Sequence, residues 1–216
     1  MMFIAKKQGK RLNNSDLKSK LMLSDNVEIL FITSNQSKFE WAKRRLEGLQ
    51  IRLVKKELKI DEPQDMDVEK VAVSKAQSAA KIINEPFIME DTSFCIPTLN
   101  NFPGTFAKFV IQAIGIKGIL KLLEGEVDRK AIFRSALVFF KDGALHTFIC
   151  DDIGTISESP RGDDTKGFND LFKIFIPANS DKTLAEMDGE EFALYERGIE
   201  SGDHYHKFGE WIAKNK

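Results

Sequence analysis

Cysteine is scarce. Cys95 and Cys150 are the only two in 216 residues; they lie in separate apolar segments, form no CxxC, and have no histidine at zinc spacing. That excludes a disulfide scaffold and a zinc ribbon and predicts two buried, reduced thiols. Long apolar runs are also missing: nothing approaches the ~18 to 20 residues that span a bilayer. The opening MMFIAKKQGKRLNNS has no signal-peptide apolar stretch after its basic residues, so a cytoplasmic protein without membrane contact is expected. A net charge of −1 supplies no overall positive field for a nucleic-acid backbone or an anionic membrane, and any phosphate binding must be local. No internal repeat, low-complexity tract or GxxxxGK[ST] phosphate loop occurs.

What is present suits a globular chain. Hydrophobic residues make up 42% and charged residues 30%, which excludes a disordered or collagenous chain, and this length buries roughly 70% of its unfolded surface on folding. Residues 1–26 stand apart: up to Met22, Lys6, Lys7, Lys10, Arg11, Lys18 and Lys20 against Asp16 make a basic extension with weak periodicity. The folded domain is expected over 27–216. It opens with VEILFIT, an apolar, branched run that reads as a buried strand, and Phe39, Ala42, Leu46 and Leu49 then recur at helical spacing. IRLV reads as a second strand. Pro63 keeps LKIDEPQDMD irregular, and Asp67 is placed to cap a helix to Ile83. Pro86 to Met89 reads as a short strand delivering Glu90, Asp91, Thr92 and Ser93 at its carboxyl end, where α/β sheets keep their chemistry. Gly115 and Gly118 break or bend a helix over 105–123. AIFRSALVFF and ALHTFIC form a hairpin across Asp142-Gly143, and DIGTISES continues the antiparallel set. Helix-compatible segments around Leu184 to Tyr195 and Lys207 to Lys214 close the chain.

Several residues point to chemistry. TSNQSK, a strand end running into a helix N-terminus, offers free backbone N–H groups and the helix dipole to an anion, with Lys38 adding charge; ordinary capping by Ser34, Asn35 or Ser37 is the competing reading. Lys75 falls on the apolar face of its helix, where it either snorkels outward or turns to a polar site within the fold. Glu62 and the Glu90-Asp91 pair, far apart in sequence, can converge over one sheet edge, where Mg²⁺ takes carboxylate and phosphate oxygens. Lys108 lies in a mostly apolar helix. His204 and His206 are spaced for metal only if a third ligand exists, and otherwise read as surface groups or phosphate contacts.

The order TSNQSKFE, DEPQ, VSKAQSAA, FIMEDTSFCI, LNNFPGTFAKF, an SPRG loop and IPANSDKTLAEM resembles the successive blocks of the inosine triphosphate pyrophosphatase family, from Val27 to Met187. The resemblance implies an α/β fold with an elongated, bent mixed sheet flanked by helices, two lobes and a central cleft. It implies Mg²⁺-dependent conversion of deaminated purine triphosphates to monophosphate and pyrophosphate, and a homodimer. It assigns Thr33, Ser34, Asn35 and Lys38 to the triphosphate, with Lys75 and Lys108 as further phosphate contacts. Glu62 and Asp91 become the metal acids, Asp91 and Lys38 the catalytic groups, and Thr92 a neighbour of substrate. Three departures stand out. Ser34 replaces a glycine, and the base-recognition block appears as 167–172, with Phe168 and Asp170 filling two of its roles. The closing Ser-His-Arg block arrives late as Tyr205-His206-Lys207, where Lys207 lacks the planar fork of arginine. An altered base preference, or a nucleotide-binding protein without turnover, are the alternatives.

Overall fold

The computed structural model of the chain describes residues 27–47, 49, 51–163, 170–200 and 202–215. The basic extension 1–26 and the segment 164–169, which holds Phe168, lie outside the described residues. Among the described residues seven strands, β1 (Val27–Ile32), β2 (Ile51–Lys56), β3 (Phe87–Ile96), β4 (Phe102–Gly104), β5 (Lys130–Lys141), β6 (Ala144–Ile156) and β7 (Phe175–Pro177), form one mixed sheet in the order β2-β1-β3-β5-β6-β7, with β4 paired to β3. β1 and β2 run parallel in register, Val27 opposite Ile51 and Ile32 opposite Lys56. Between them α1, Gln36–Arg45, packs its buried Ala42 toward the sheet. Its N-cap Asn35 accepts from the Lys38 amide, and Lys43, Arg44 and Arg45 in the last turn complement the dipole.

α2, Val68–Ala80, follows the Asp67 N-cap and buries Val68, Val71, Ala72, Ala76 and Ala79, as the apolar spacing predicts. β3 is longer than the expected four-residue strand: it runs from Phe87 to Ile96, so Glu90 and Asp91 lie mid-strand rather than at its end. What ends there is the neighbour. β1 pairs with β3 only at Phe87 and Ile88, whereas β5, Lys130–Lys141, accompanies β3 antiparallel from Phe87 to Cys95. From Met89 to Ser93, between the last residue paired with β1 and the first paired with the next strand, Phe94, that edge of β3 is open, and polar residues can persist inside a strand because the loop after β1 leaves them a cavity.

β4, Phe102–Gly104, returns along the far part of β3. α3, Ala107–Leu122, is kinked at Gly115, whose φ of +64° a side chain rarely adopts. β5 turns into β6, Ala144–Ile156, through Asp142 and Gly143, both at positive φ with Lys141 opposite Ala144, the two-residue hairpin that Asp-Gly favours. DIGTI is the end of β6 rather than a further strand, and β7, Phe175–Pro177, pairs with it. The last two helices are α4, Gly189–Glu200, and α5, His204–Lys214. Leu184 to Met187 forms a turn ahead of α4 rather than its start, and α5 begins three residues earlier than expected, which puts His204 and Tyr205 in its first turn.

Apolar clusters cover the sheet. Ile29, Phe31, Leu137 and Phe139 meet Tyr205, Phe208 and Ile212 of α5 on one face. Phe87, Met89, Ala136 and Val138 meet Ala72, Ala76 and Ala79 of α2 on the other. Phe94, Phe175, Leu171, Ile119 and Leu123 pack at the far end. Cys95 and Cys150 are free and half-buried, less enclosed than their apolar flanks suggest. Among the described residues no helix is long and apolar enough to cross a membrane.

Candidate active site

The carboxyl end of β1, the loop after β2, α2 and the middle of β3 surround a cavity of about 280 Å³. Thr33, Ser34, Asn35 and Lys38 line it together with Glu62, Lys75, Glu90 and Asp91. Thr33 Oγ1 accepts from the Asn35 amide at 3.1 Å, and Asn35 Oδ1 accepts from the Lys38 amide at 3.1 Å. Capping and anion binding are thus not rivals here: the side chains fix the turn, and the helix N-terminus they cap faces the cavity.

Adjacent residues in a strand point to opposite faces, and this alternation divides the site. Asp91 projects toward α2. There Lys75, on the apolar helix face, turns inward rather than snorkelling and donates to Asp91 Oδ1 at 2.9 Å and Glu62 Oε1 at 3.0 Å. One ammonium therefore draws together two acids that are far apart in sequence. Burial pushes the Asp91 carboxyl up, outweighing the nearby Lys75 charge, while Asp91 and Glu62 together hold Lys75 above its ordinary value against its own burial. Asp91 Oδ2 is buried and has no hydrogen-bond partner.

Glu90 projects toward α1 and α5. Its side chain is only 8% exposed. Tyr205 Oη donates to Oε2 at 2.7 Å, Thr92 Oγ1 donates to Oε1 at 3.0 Å, and Lys38 Nζ stands 3.6 Å from Oε1. Burial alone would raise this acid, but the Lys38 charge and the two hydroxyl donors hold it down to about 2, with His204 adding only when protonated. His204 Nε2 lies 3.9 Å from Glu90 Oε1, and burial keeps its pKa below the usual value. Lys38 Nζ also donates to Glu90 O at 3.3 Å and Thr92 Oγ1 at 3.4 Å. Thr92, exposed at the margin, reaches Ser135 Oγ at 3.2 Å across to β5.

The structure thus gathers Thr33, Ser34, Asn35, Lys38, Glu62, Lys75 and Asp91, with Thr92 beside them. The remaining candidates lie elsewhere. Lys108 is exposed in the first turn of α3 and does not line the cavity. Asp170 is exposed and 3.4 Å from Lys173. On α5, His206 faces Glu210 at 3.8 Å and Lys207 donates to Ile149 O, so from this helix it is His204 and Tyr205 that approach Glu90. Sequence reasoning treated Glu90 only as the partner of Asp91 and passed over Tyr205; the available signal was alternation, since EDT within an apolar strand must send Glu90 and Asp91 to different faces.

The oxygen-rich, lysine-flanked cavity is that of an enzyme acting on a phosphorylated substrate. The Ham1 family model matches residues 29–196. A dITP/XTP pyrophosphatase from Thermococcus kodakarensis is 35% identical over 189 residues, 88% of this chain and 99% of that one. The dITP/XTP pyrophosphatase of Saccharolobus solfataricus is 37% identical over 191 residues, 88% of this chain and 96% of that one. Among solved structures, a HAM1 protein from Coxiella burnetii superposes with a TM-score of 0.74 at 24% identity, over 87% of this chain and 99% of its own. The Staphylococcus aureus Ham1 protein gives 0.71 at 20%, over 88% and 100%. The chain belongs to the Ham1 family, the family read from the order of its motifs, and is a hydrolase of the pyrophosphatase class.

Proposed function

We propose that the protein hydrolyses deaminated purine nucleoside triphosphates, ITP, dITP and XTP, to the monophosphate and pyrophosphate, clearing them from the nucleotide pool. The observation that carries this is the single cavity in which a capped helix N-terminus and two lysines face two carboxylates bridged by Lys75. The names of the relatives, dITP/XTP pyrophosphatases, supply the base and the reaction.

In this reading the turn through Thr33, Ser34 and Asn35 holds the triphosphate at the N-terminus of α1, although the Thr33 and Asn35 amides are themselves spent on Lys56 O and Thr33 Oγ1, and Lys38 and Lys75 neutralise its charge. The donors fit Mg²⁺: Glu62 and Asp91 offer oxygen only, and the unpartnered, buried Asp91 Oδ2 is an acceptor in need of a cation or a proton. Bound there, Mg²⁺ would screen phosphate charge. Asp91 accepts the proton of a water that attacks the α-phosphorus; the bond from that phosphorus to the bridging oxygen breaks, and pyrophosphate leaves against Lys38 and Lys75. Among the described residues no cluster of three or more metal-binding side chains occurs, so substrate oxygens would have to supply the remaining ligands, and Mg²⁺ is expected to bind far more tightly with nucleotide than without. Calorimetric titration with and without a nonhydrolysable ITP analogue checks this.

Phe168 and Asp170 are the proposed base contacts. Lys108, His206 and Lys207, outside the lining of this cavity, are the proposed further substrate contacts. The same reading carries a cytoplasmic homodimer, which light scattering tests for assembly. Pyrophosphate release with Mg²⁺ from ITP, dITP, XTP, GTP, ATP and dTTP, with Asp91→Asn alongside, tests the whole. Fast release from the first three, falling about a thousandfold in the variant, is the expected result. Release from another triphosphate alone would show that the altered base block has changed the substrate.

A further inference from the structure

Glu90 is not needed as a metal ligand in the mechanism above, yet it is the most enclosed acid at the site. Each of the two neighbouring acids of β3 holds one lysine, and they do so on opposite faces of the sheet: Asp91 holds Lys75, and Glu90 holds Lys38. Lys75 is fixed by two carboxylates. Lys38 depends on Glu90 and its surroundings: Oε1 of the carboxylate, the Glu90 carbonyl and Thr92 Oγ1 are its contacts. A lysine has four rotatable bonds, so its use as a phosphate ligand requires something to hold the ammonium in place before substrate arrives.

The orientation of Glu90 is set from outside the cavity. Tyr205, 1% exposed in the first turn of α5, spends its hydroxyl on Oε2 at 2.7 Å. With Oε2 committed, Oε1 is the oxygen turned to Thr92 and Lys38. The phenol does not line the cavity, and its hydrogen bond goes to Glu90 rather than to Lys38 or Asp91. We propose that Tyr205 is a positioning residue for the phosphate-binding lysine: through Glu90 it fixes the Lys38 ammonium at the cavity wall, and so couples the docking of α5 to triphosphate affinity. This rests on the reading of Lys38 as a phosphate contact.

The test is a double-mutant cycle between Tyr205→Phe and Lys38→Ala, read as KM and kcat for dITP and as product inhibition by inorganic pyrophosphate. Tyr205→Phe keeps the ring in its apolar cluster and removes one hydroxyl. The expected result is a rise of about fivefold in KM and in the pyrophosphate inhibition constant, with kcat changed less. In the Lys38→Ala background the same substitution should add almost nothing. A structural role alone would lower the melting temperature without touching pyrophosphate inhibition well below it. Glu90→Gln provides a second route, because a neutral amide leaves no buried charge if Tyr205→Phe fails to fold; its effect should likewise vanish without Lys38. Should either variant weaken binding as much in Lys38→Ala as in the parent, the coupling is wrong. If Lys38→Ala itself leaves pyrophosphate inhibition unchanged, it is the phosphate role of Lys38 that fails.

Discussion

One carboxylate at this site is stabilised and its neighbour is not, and the difference lies in their partners. Glu90 has donors for both oxygens; Asp91 has Lys75 on one and nothing on the other. A filled acid suits a scaffold, and an acid with a free, buried oxygen suits chemistry. Because the folded-state pKa of Glu90 lies near 2, below its ordinary 4.5, its ionised form contributes stability above pH 4.5 that is lost as the pH falls toward 2. Wild type should lose about 3 kcal/mol over that window relative to Glu90→Gln, visible as converging urea midpoints. Lys75 was legible at this scale, as a charge on an apolar helix face. Tyr205 was not: an aromatic in a tail segment reads as core, which its ring is, and its hydroxyl partner lies 115 positions away.

At the scale of elements, local chemistry was readable where it is local. The Asp142-Gly143 hairpin, the Asp67 cap, the apolar face of α2 and the Gly115 kink all follow from side-chain size, φ or hydrogen bonding within a few residues. Strand lengths were not readable. FIMEDTSFCI mixes apolar and polar residues because β5 accompanies β3 along one edge from Phe87 to Cys95 while the middle of the other edge borders a cavity, a fact about β1 stopping short. Likewise Asp151 and Asp152 disguise the middle of β6, where Arg134 of β5 pairs with Asp151 at 2.6 Å. Gly154 marks how closely β7 then closes on β6: a Cβ there would stand 2.2 Å from Ile176 O and 2.7 Å from the Phe175 ring. Backbone cannot retreat as a side chain can, so Gly154→Ala should cost about 3 kcal/mol and lower the melting temperature, with the far apolar cluster loosening first. Hydrogen exchange at Phe175 and Ile176 locates the effect.

For the whole molecule, the order of the motif blocks revealed the family, while the packing of α2 and the loop after β2 against β3, which brings Glu62, Lys75 and Asp91 together, exists only in three dimensions. So does the way the tail closes on the domain. Arg45 at the end of α1 stands 3.2 Å from Asp203 ahead of α5 and donates to Glu196 O of α4. Two tyrosines fasten the same helices to the sheet: Tyr195 of α4 donates to Asp152 Oδ2, and Tyr205 of α5 to Glu90. Burial, reinforced by those carboxylates, raises both phenols above their usual 10.0, and burial raises the Cys150 thiol above 9.0. A group whose folded pKa is raised stabilises fully below its unfolded value and loses that contribution as pH climbs beyond it. All three have the same sign, so stability should fall as the pH rises from about 9 through 11, with α4 and α5 releasing together because Arg45 joins them. Tyr195→Phe should start from a lower baseline, since Asp152 loses its donor, yet descend less steeply. Urea midpoints at pH 8, 9, 10 and 11 measure the slope; parallel curves for wild type and variant would show that the tyrosine ionises without unseating the helix.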